Sequence, residues 1–270
     1  MAEVAPDIPV PDSPVPGTPE TDAATWPAVV ENAAGRGAVV IVCEHASNHL
    51  PAPWGGLGLG ADQRAAHIAW DPGALGLARG LAGRLDAVLA HAPVSRLVHD
   101  LNRAPDQPGA MPERSETHDI PGNRALSPEA RAARVEAVYL PFHATLHGLV
   151  AGRLARGKRP VIVTVHSFTP VYMGTARAVE FGVIHDADDR LAHAVAQAAR
   201  AMTGLATELN APYSAADGVT HTLRLHALPY GLANVMLEIR NDLITTPGAE
   251  TAMADMLAPV LTRAIEAVEG

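Results

Sequence analysis

Several apolar segments of this sequence end in residues suited to metal binding or acid–base chemistry. They read CEHASNH at 43–49, HDLNR at 99–103, VTVHS at 163–167 and LEIRND at 237–242. A buried strand fixes its own backbone, so a polar side chain at its end is delivered to the sheet edge in a defined position. The pattern predicts that these strand ends converge on one site.

Two of these residues, His45 and His166, each follow an apolar run. Neutral imidazole is the commonest protein ligand for zinc, and a catalytic zinc needs a third ligand and an open position. The sequence offers Asp71, Glu44 and Asn48 as third ligands and does not choose among them.

The remaining strand ends supply charged and amide groups. Asn102 and Arg103 together are able to hold a carboxylate and polarise a carbonyl. Glu238 and Arg240 alternate with apolar residues, so both point to one face, where a buried charge must be paired or functional. Ser167 and Arg177, which follow His166 in the sequence, are further candidates for lining the pocket.

The elements that must position these residues alternate between strands and helices. Continuous apolar runs predict strands at 38–43, 94–99, 161–165, 179–184 and 234–239. Apolar residues at helical spacing predict helices at 72–86, 127–156, 188–203 and 247–268, with Pro141 as a kink in the second. Asp71 and Pro72 would also suit the start of the first helix, as N-cap and first-turn proline.

Apolar strands alternating with amphipathic helices predict an α/β fold. We expect a single-domain, three-layer α/β/α arrangement with a mostly parallel mixed sheet, of the kind found in phosphorylases and hydrolases. Ligands in such sheets bind at the carboxyl ends of the strands. Residues 1–24 hold six prolines, five acidic residues and no basic residue, which predicts a disordered tail before a catalytic domain at 25–270.

Composition limits the partners. The formal net charge of −9 disfavours nucleic acid, which needs a basic face. No apolar run is long enough for a membrane span and no secretory signal is visible, so the sequence predicts a cytoplasmic protein that does not bind membranes. Nineteen of the 20 basic residues are arginine, which weakly favours a small anionic ligand.

The order of these motifs resembles the N-formylglutamate amidohydrolases, a family of zinc-dependent amide hydrolases. The resemblance covers roughly residues 38–246, and it is carried by the segments CEHASNHLP, AWDPGALGLA, SRLVHDLNRAPD, VTVHSFTPVY, DGVTHTL and NVMLEIRNDLI. The series His45, Asn102-Arg103, His166 and Glu238 is also distantly similar to the zinc carboxypeptidase and aspartoacylase superfamily.

This resemblance implies a set of roles. Zinc would lie on His45 and His166. Asn48 stands where the carboxypeptidase pattern has a glutamate, so the pattern leaves the third ligand open. We predict Asp71 ahead of Glu44 and Asn48, because a carboxylate suits a hard, positively charged zinc site. Glu238 would be the general base. Asn102 and Arg103 would hold the substrate, Arg103 sharing the oxyanion charge.

The resemblance also implies that one residue of the group His221, Arg224 and His226, in the segment GVTHTLRLH, approaches the substrate. Arg240 would bind the α-carboxylate of the substrate or orient Glu238.

The expected function is hydrolysis of a linear amide of an N-acyl amino acid, with N-formylglutamate as the expected substrate and formate and glutamate as the products. The alternatives are an amidohydrolase for another N-acyl amino acid or small peptide, and a non-catalytic protein of the same fold that binds a metal or an anion. Retention of Glu238 argues against the last, because a pure binder needs no base on that strand.

Overall fold

The structure is a computed structural model that describes residues 24–269. All but the last residue of the predicted tail at 1–24 therefore lies outside the described residues. Within 24–269, no helix is both long enough and apolar enough to cross a membrane.

Among the described residues, a seven-stranded sheet with strand order β1-β3-β2-β6-β11-β9-β10 forms the centre of the fold. Its strands are Val29–Glu31 (β1), Val39–Cys43 (β2), Val88–His91 (β3), Val161–Phe168 (β6), Phe181–Ile184 (β9), Thr207–Leu209 (β10) and Asn234–Arg240 (β11). Strands β3, β2, β6 and β11 run parallel, while β1 and β9 are antiparallel to their neighbours β3 and β11. The predicted mostly parallel mixed sheet is confirmed.

Two short hairpins lie outside this sheet. They pair Arg114–Ser115 (β4) with His118–Asp119 (β5), and Val171–Tyr172 (β7) with Thr175–Ala176 (β8).

Helices cover both faces of the sheet. They are Ala61–Ala65 (α1), Ala74–Arg84 (α2), Pro128–Arg134 (α3), Leu140–Leu154 (α4), Arg190–Met202 (α5), His221–His226 (α6) and Pro247–Glu269 (α7). Helices α2, α5 and α7 bury their apolar residues against one face, and α4 and α6 pack against the other. Alternate residues of the central strands enter the two cores, as side chains of a pleated strand must. The three-layer prediction is confirmed.

The predicted helix at 127–156 is interrupted rather than simply kinked. A π-helical turn, Val135–Tyr139, joins α3 to α4, and Pro141 lies in the first turn of α4. Because proline has no N–H, the carbonyl of Ala137 is left without its helical donor, and the N–H of Trp26 donates to it at 2.7 Å.

The predicted strand at 94–99 is wrong. The strand of this region is β3, and residues 94–99 form turns, with the N–H of Val98 donating to the carbonyl of Ser95 at 3.0 Å. The buried residues of this loop are spaced as in one turn of helix, with Val94 and Val98 in one core cluster and Leu97 in another. The sequence predicts neither β3 nor β1 and β10, which are three residues each.

Candidate active site

A cleft of about 430 Å³ opens at the carboxyl ends of the central parallel strands. Its walls include His45, which lies just beyond β2, and His166 and Glu238, which lie on β6 and β11. Strands β6 and β11 are adjacent and parallel, and His166 is directly opposite Glu238 in their register. The strand ends that the sequence analysis singled out therefore do converge.

His45, Asp71 and His166 form a compact, buried group at the base of this cleft. Nδ1 of His166 lies 3.2 Å from Nδ1 of His45 and 3.0 Å from Oδ2 of Asp71, and the same Asp71 oxygen lies 3.3 Å from Nδ1 of His45. Zinc bonds of about 2.0–2.1 Å in a tetrahedron separate neighbouring ligand atoms by about 3.4 Å. The spacing and the donor set, two imidazole nitrogens and one carboxylate oxygen, both fit a zinc ion.

The outer nitrogen of each ring faces a second carboxylate. Nε2 of His45 lies 2.8 Å from Oδ1 of Asp100, and Nε2 of His166 lies 3.2 Å from Oε2 of Glu44. A carboxylate at Nε2 favours the ring proton on that side, which turns the lone pair of Nδ1 inward. The lone pairs of the two Nδ1 atoms and of Oδ2 of Asp71 then point at one another within van der Waals distance. They repel one another unless a positive charge lies between them, so these residues fit a cation.

The pKa values of the two histidines are both raised, which also indicates a site that favours positive charge. Burial lowers the pKa of His166, but the carboxylates of Glu44 and Asp71 raise it well above its usual range. Burial also opposes protonation of His45, and the pKa of that ring is nevertheless raised by Asp100 and Asp71. The surroundings of both rings thus favour positive charge at this position.

Arg96 links the carboxylates of this group. Its Nη2 donates to Oδ2 of Asp100 at 2.6 Å, and its Nη1 donates to Oδ1 of Asp71 at 3.3 Å. The backbone N–H of Ser167 also donates to Asp71 at 3.3 Å. Burial raises the pKa of Asp71, but His45, His166 and Arg96 outweigh it, so the pKa is lowered and the group is held as a carboxylate.

Glu238 differs from the other carboxylates of the site in its pKa, which is raised where those of Glu44, Asp71 and Asp100 are lowered. Its side chain lines the cleft, and its Oε2, like both oxygens of Glu44, is buried without a hydrogen-bond partner among residues 24–269. Burial raises the pKa of Glu238 to about 7. A carboxyl group that exchanges its proton near neutral pH is suited to act as a general base and then as an acid.

Asn102 and Arg103, the predicted pair, both line the cleft, but their side chains have different partners. The amide of Asn102 donates to the carbonyl of Val219, and its Oδ1 accepts from the N–H of Thr222 at 3.0 Å, so the side chain is engaged by the backbone leading into α6. Arg103 lines the cleft, where its Nη1 donates to the carbonyl of Asp217 at 3.1 Å.

Of the remaining predicted substrate-binding residues, only Ser167 lines the cleft, and its hydroxyl donates to the carbonyl of Pro72 at 2.8 Å. The other four do not line the cleft themselves; three are engaged away from it, and Arg177 packs behind the wall, against aromatic rings that line it. Arg240 pairs with Asp242 and Glu180, Arg224 pairs with Asp186, His226 bonds to His143, and Arg177 lies against the rings of Phe168, Tyr172 and Tyr213.

The other two candidates for a third ligand also lie outside the group. Glu44 faces the outer nitrogen of His166, and the amide of Asn48 donates to the carbonyl of Arg64. The side chain of Asp71 caps no helix, because Gly73 with φ of 79° precedes α2.

Sequence reasoning gave no role to Arg96 and Asp100, although both stand in the quoted segment SRLVHDLNRAPD. Their i,i+4 spacing was an available signal for an ion pair. The aromatic wall residues Tyr172 and Tyr213 carried no comparable signal.

Comparison with known proteins agrees with the geometry. The sequence profile of the N-formylglutamate amidohydrolase family matches residues 37–245. This chain belongs to the N-formylglutamate amidohydrolase family, whose members hydrolyse amide bonds.

Two solved structures are similar to it. The gene product Atu2144 of Agrobacterium tumefaciens is 50% identical, with a TM-score of 0.89 over 92% of this chain and 98% of that one. The N-formylglutamate amidohydrolase of Ralstonia eutropha JMP134 is 19% identical, with a TM-score of 0.64 over 90% of this chain and 98% of that one, and shows the shared fold. A comparison with proteins of curated function returned no match.

Proposed function

We propose that this protein is a zinc-dependent amidohydrolase that converts N-formylglutamate to formate and glutamate. The observation that carries the proposal is the convergence of His45, Asp71 and His166 at the base of a cleft, with Glu238 opposite His166 on the adjacent strand. A metal-binding group beside a buried carboxyl with a pKa near 7 is the arrangement that metal-assisted hydrolysis requires.

His45, Asp71 and His166 would hold the zinc ion through Nδ1, Oδ2 and Nδ1. When bound there, zinc supplies a Lewis acid that polarises a carbonyl and lowers the pKa of water. Asp100 and Glu44, on the outer nitrogens, keep the two rings in the orientation that presents Nδ1.

Glu238 carries the proton. As water adds to the formyl carbon, the Glu238 carboxylate accepts one of its protons, and the protonated group then donates to the amide nitrogen as the carbon–nitrogen bond breaks. Formate and the free amine of glutamate are the products. A pKa of about 7 suits both halves of this transfer.

Arg103 is the cation that we assign to an anionic group of the substrate. Arg96 is already bonded to two carboxylates, whereas Arg103 donates one hydrogen bond to a backbone carbonyl and its Nε remains 3.8 Å from Oδ2 of Asp100. A dicarboxylate such as N-formylglutamate gives this guanidinium a partner that is able to accept two parallel hydrogen bonds.

The test combines metal analysis with a substrate panel. Purified protein should carry about one zinc per chain, and chelation should abolish release of amine from N-formylglutamate. The panel should include N-acetylglutamate, N-formylaspartate and N-formylglutamine, and N-formylglutamate should give the highest kcat/KM.

Full activity after complete metal removal would overturn the zinc mechanism. A higher kcat/KM with another N-acyl amino acid would reassign the substrate, and zinc binding with no hydrolysis of any member would favour a non-catalytic metal-binding protein.

A further inference from the structure

The guanidinium of Arg103 is enclosed by two turns of the backbone. One turn, Pro108–Ala110, contains Gly109, and the other, Ala215–Asp217, is followed by Gly218. A Cβ atom added to Gly109 would lie 2.9 Å from Nε of Arg103, 3.0 Å from Cδ and 3.2 Å from Cζ. A Cβ at Gly218 would lie 3.1 Å from Nη1 of the same side chain.

Different structural constraints favour glycine at these two positions. Gly218 has φ of +71°, a left-handed conformation that by itself favours glycine. Gly109 is not in that region, and the three atoms nearest to its hypothetical Cβ all belong to Arg103. The contact with Arg103 is therefore the constraint that the structure shows at position 109.

The turn that carries Gly109 is held firmly. The N–H of Asp100 donates to the carbonyl of Ala110 at 2.7 Å, and Ala110 and Met111 are fully buried. Because the turn is fixed to the residue that orients His45, a side chain at position 109 would displace the guanidinium rather than the backbone. Arg103 is the partner that would shift, because its side chain is 23% exposed whereas Ala110 and Met111 are fully buried.

We propose that Gly109 is a positioning residue that sets where Arg103 presents its charge in the cleft, and thereby determines selectivity for a carboxylate-bearing ligand. The inference rests on the proposed function only in that Arg103 is taken to bind an anionic group of the substrate. The Nη2 of Arg103 makes no hydrogen bond to any described residue, so this donor is available to such a ligand.

Gly109→Ala should lower kcat/KM for N-formylglutamate by about tenfold to a hundredfold, mainly through KM, because a displacement of about 1 Å has effects of this size. It should weaken binding of glutarate, a five-carbon dicarboxylate, by about tenfold in calorimetry of the zinc-loaded protein. Zinc content should not change. Gly204→Ala is the matched control, since Gly204 is an exposed loop glycine without positive φ and with no atom within 4 Å of a Cβ.

A double-mutant cycle separates positioning from a general structural effect. In an Arg103→Ala background, Gly109→Ala should cost less than twofold in glutarate affinity, because the atoms it would displace are gone. Equal losses in both backgrounds, or unchanged glutarate affinity in Gly109→Ala alone, would overturn the proposal.

Failure of the proposed function gives a different result. If the wild-type protein hydrolyses no N-acyl amino acid, the enzymatic assignment fails, while the glutarate cycle still decides whether Gly109 positions Arg103.

Discussion

Four carboxylates surround the two histidines of the site, and the partners of each give it a different task. Asp71 directs an oxygen between the two Nδ1 atoms, Asp100 and Glu44 face the outer nitrogens, and Glu238 faces the cleft with its pKa raised to about 7. Side-chain type alone would not separate these positions. The distances do, because Asp71 lies on the Nδ1 side of each ring and Asp100 and Glu44 lie on the Nε2 side.

Glu238→Gln tests the general base at this scale. Glutamine has nearly the same shape but does not accept a proton, so kcat should fall by about 10²–10⁴-fold while zinc content and fold are retained. Steady-state kinetics with metal analysis would measure this. Glu208→Gln, at an exposed carboxylate, is the matched control. A kcat within twofold of the wild-type value would assign the proton transfer to another group.

Glu44→Gln tests the orienting role. Glutamine weakens the interaction with Nε2 of His166, and loss of such an outer contact typically costs about 10–100-fold in metal affinity. Competition with a chromogenic chelator would measure the zinc affinity. Glu180→Gln is the control, because Glu180 pairs with Arg240 and does not line the cleft. An Asp71→Asn variant with unaltered zinc affinity would contradict this assignment. It would indicate that Glu44 is the third ligand, although Asp71 and not Glu44 lies beside the two Nδ1 atoms.

Residues at strand ends were easier to predict from the sequence than residues whose place in the site depends on side-chain packing. His45, His166 and Glu238 could be identified because each ends or interrupts an apolar strand, which is a local pattern. Arg224 and His226 lie equally close to quoted motifs, yet Arg224 turns outward to Asp186 and His226 bonds to His143. The direction of a side chain on a short helix depends on packing that a linear sequence does not display.

At the scale of elements, the strands were easier to predict than the loops that complete the cleft. Strands β2, β6 and β11 are continuous apolar runs because helices cover both of their faces. Residues 94–99 are also rich in apolar residues, and the pattern predicts a strand there; the structure has turns instead, whose buried residues pack in two clusters. The edge strands β1 and β10 are too short for a periodic signal.

Helices α4 and α6 meet through a group of histidines behind the cleft. Nδ1 of His143 lies 2.9 Å from Nε2 of His226, and the rings of His147 and His221 are close to this pair. Burial lowers the pKa of His226 to about 4, with smaller contributions from His147 and His221, while Glu44 acts in the opposite direction. This contact between elements therefore requires a neutral ring.

Stability should consequently fall in acid. The pKa of His226 is about 4 in the folded protein and about 6.5 in the unfolded chain, so the unfolded chain binds more protons between these values. The contribution is on the order of 2 kcal/mol lost at pH 5 relative to pH 7.5. Urea denaturation across this range should show a shallower pH dependence for His226→Gln than for wild type.

His193→Gln is the control for this measurement, since His193 is an exposed histidine on α5. A wild-type pH dependence in His226→Gln would show that other groups cause the acid sensitivity.

At the scale of the whole molecule, the candidate zinc site draws its residues from three separate segments. His45 follows β2, Asp71 precedes α2, and His166 lies on β6. An unfolded chain holds these residues far apart, so zinc should bind the folded state almost exclusively. Metal binding and stability are therefore coupled.

The chelated protein should gain thermal stability when zinc is restored. At a free zinc concentration 100-fold above Kd, the gain is about 2.7 kcal/mol, or roughly 5–10 °C in Tm for a domain of this size. Scanning calorimetry at graded zinc concentrations would measure it. Asp71→Ala should respond much less, and His185→Gln, outside the cleft, should respond as wild type does. No zinc-dependent rise in Tm would contradict the site.

The pairing of β6 with β11 has a consequence for how the enzyme matures. Strand β6 pairs with β2 as far as Thr164, whereas the part of β6 that carries His166 pairs only with β11, the strand that carries Glu238. A nascent chain that ends before β11 would therefore leave the backbone at His166 at an open sheet edge. We expect the candidate ion site and Glu238 to be completed together, in one late step of folding.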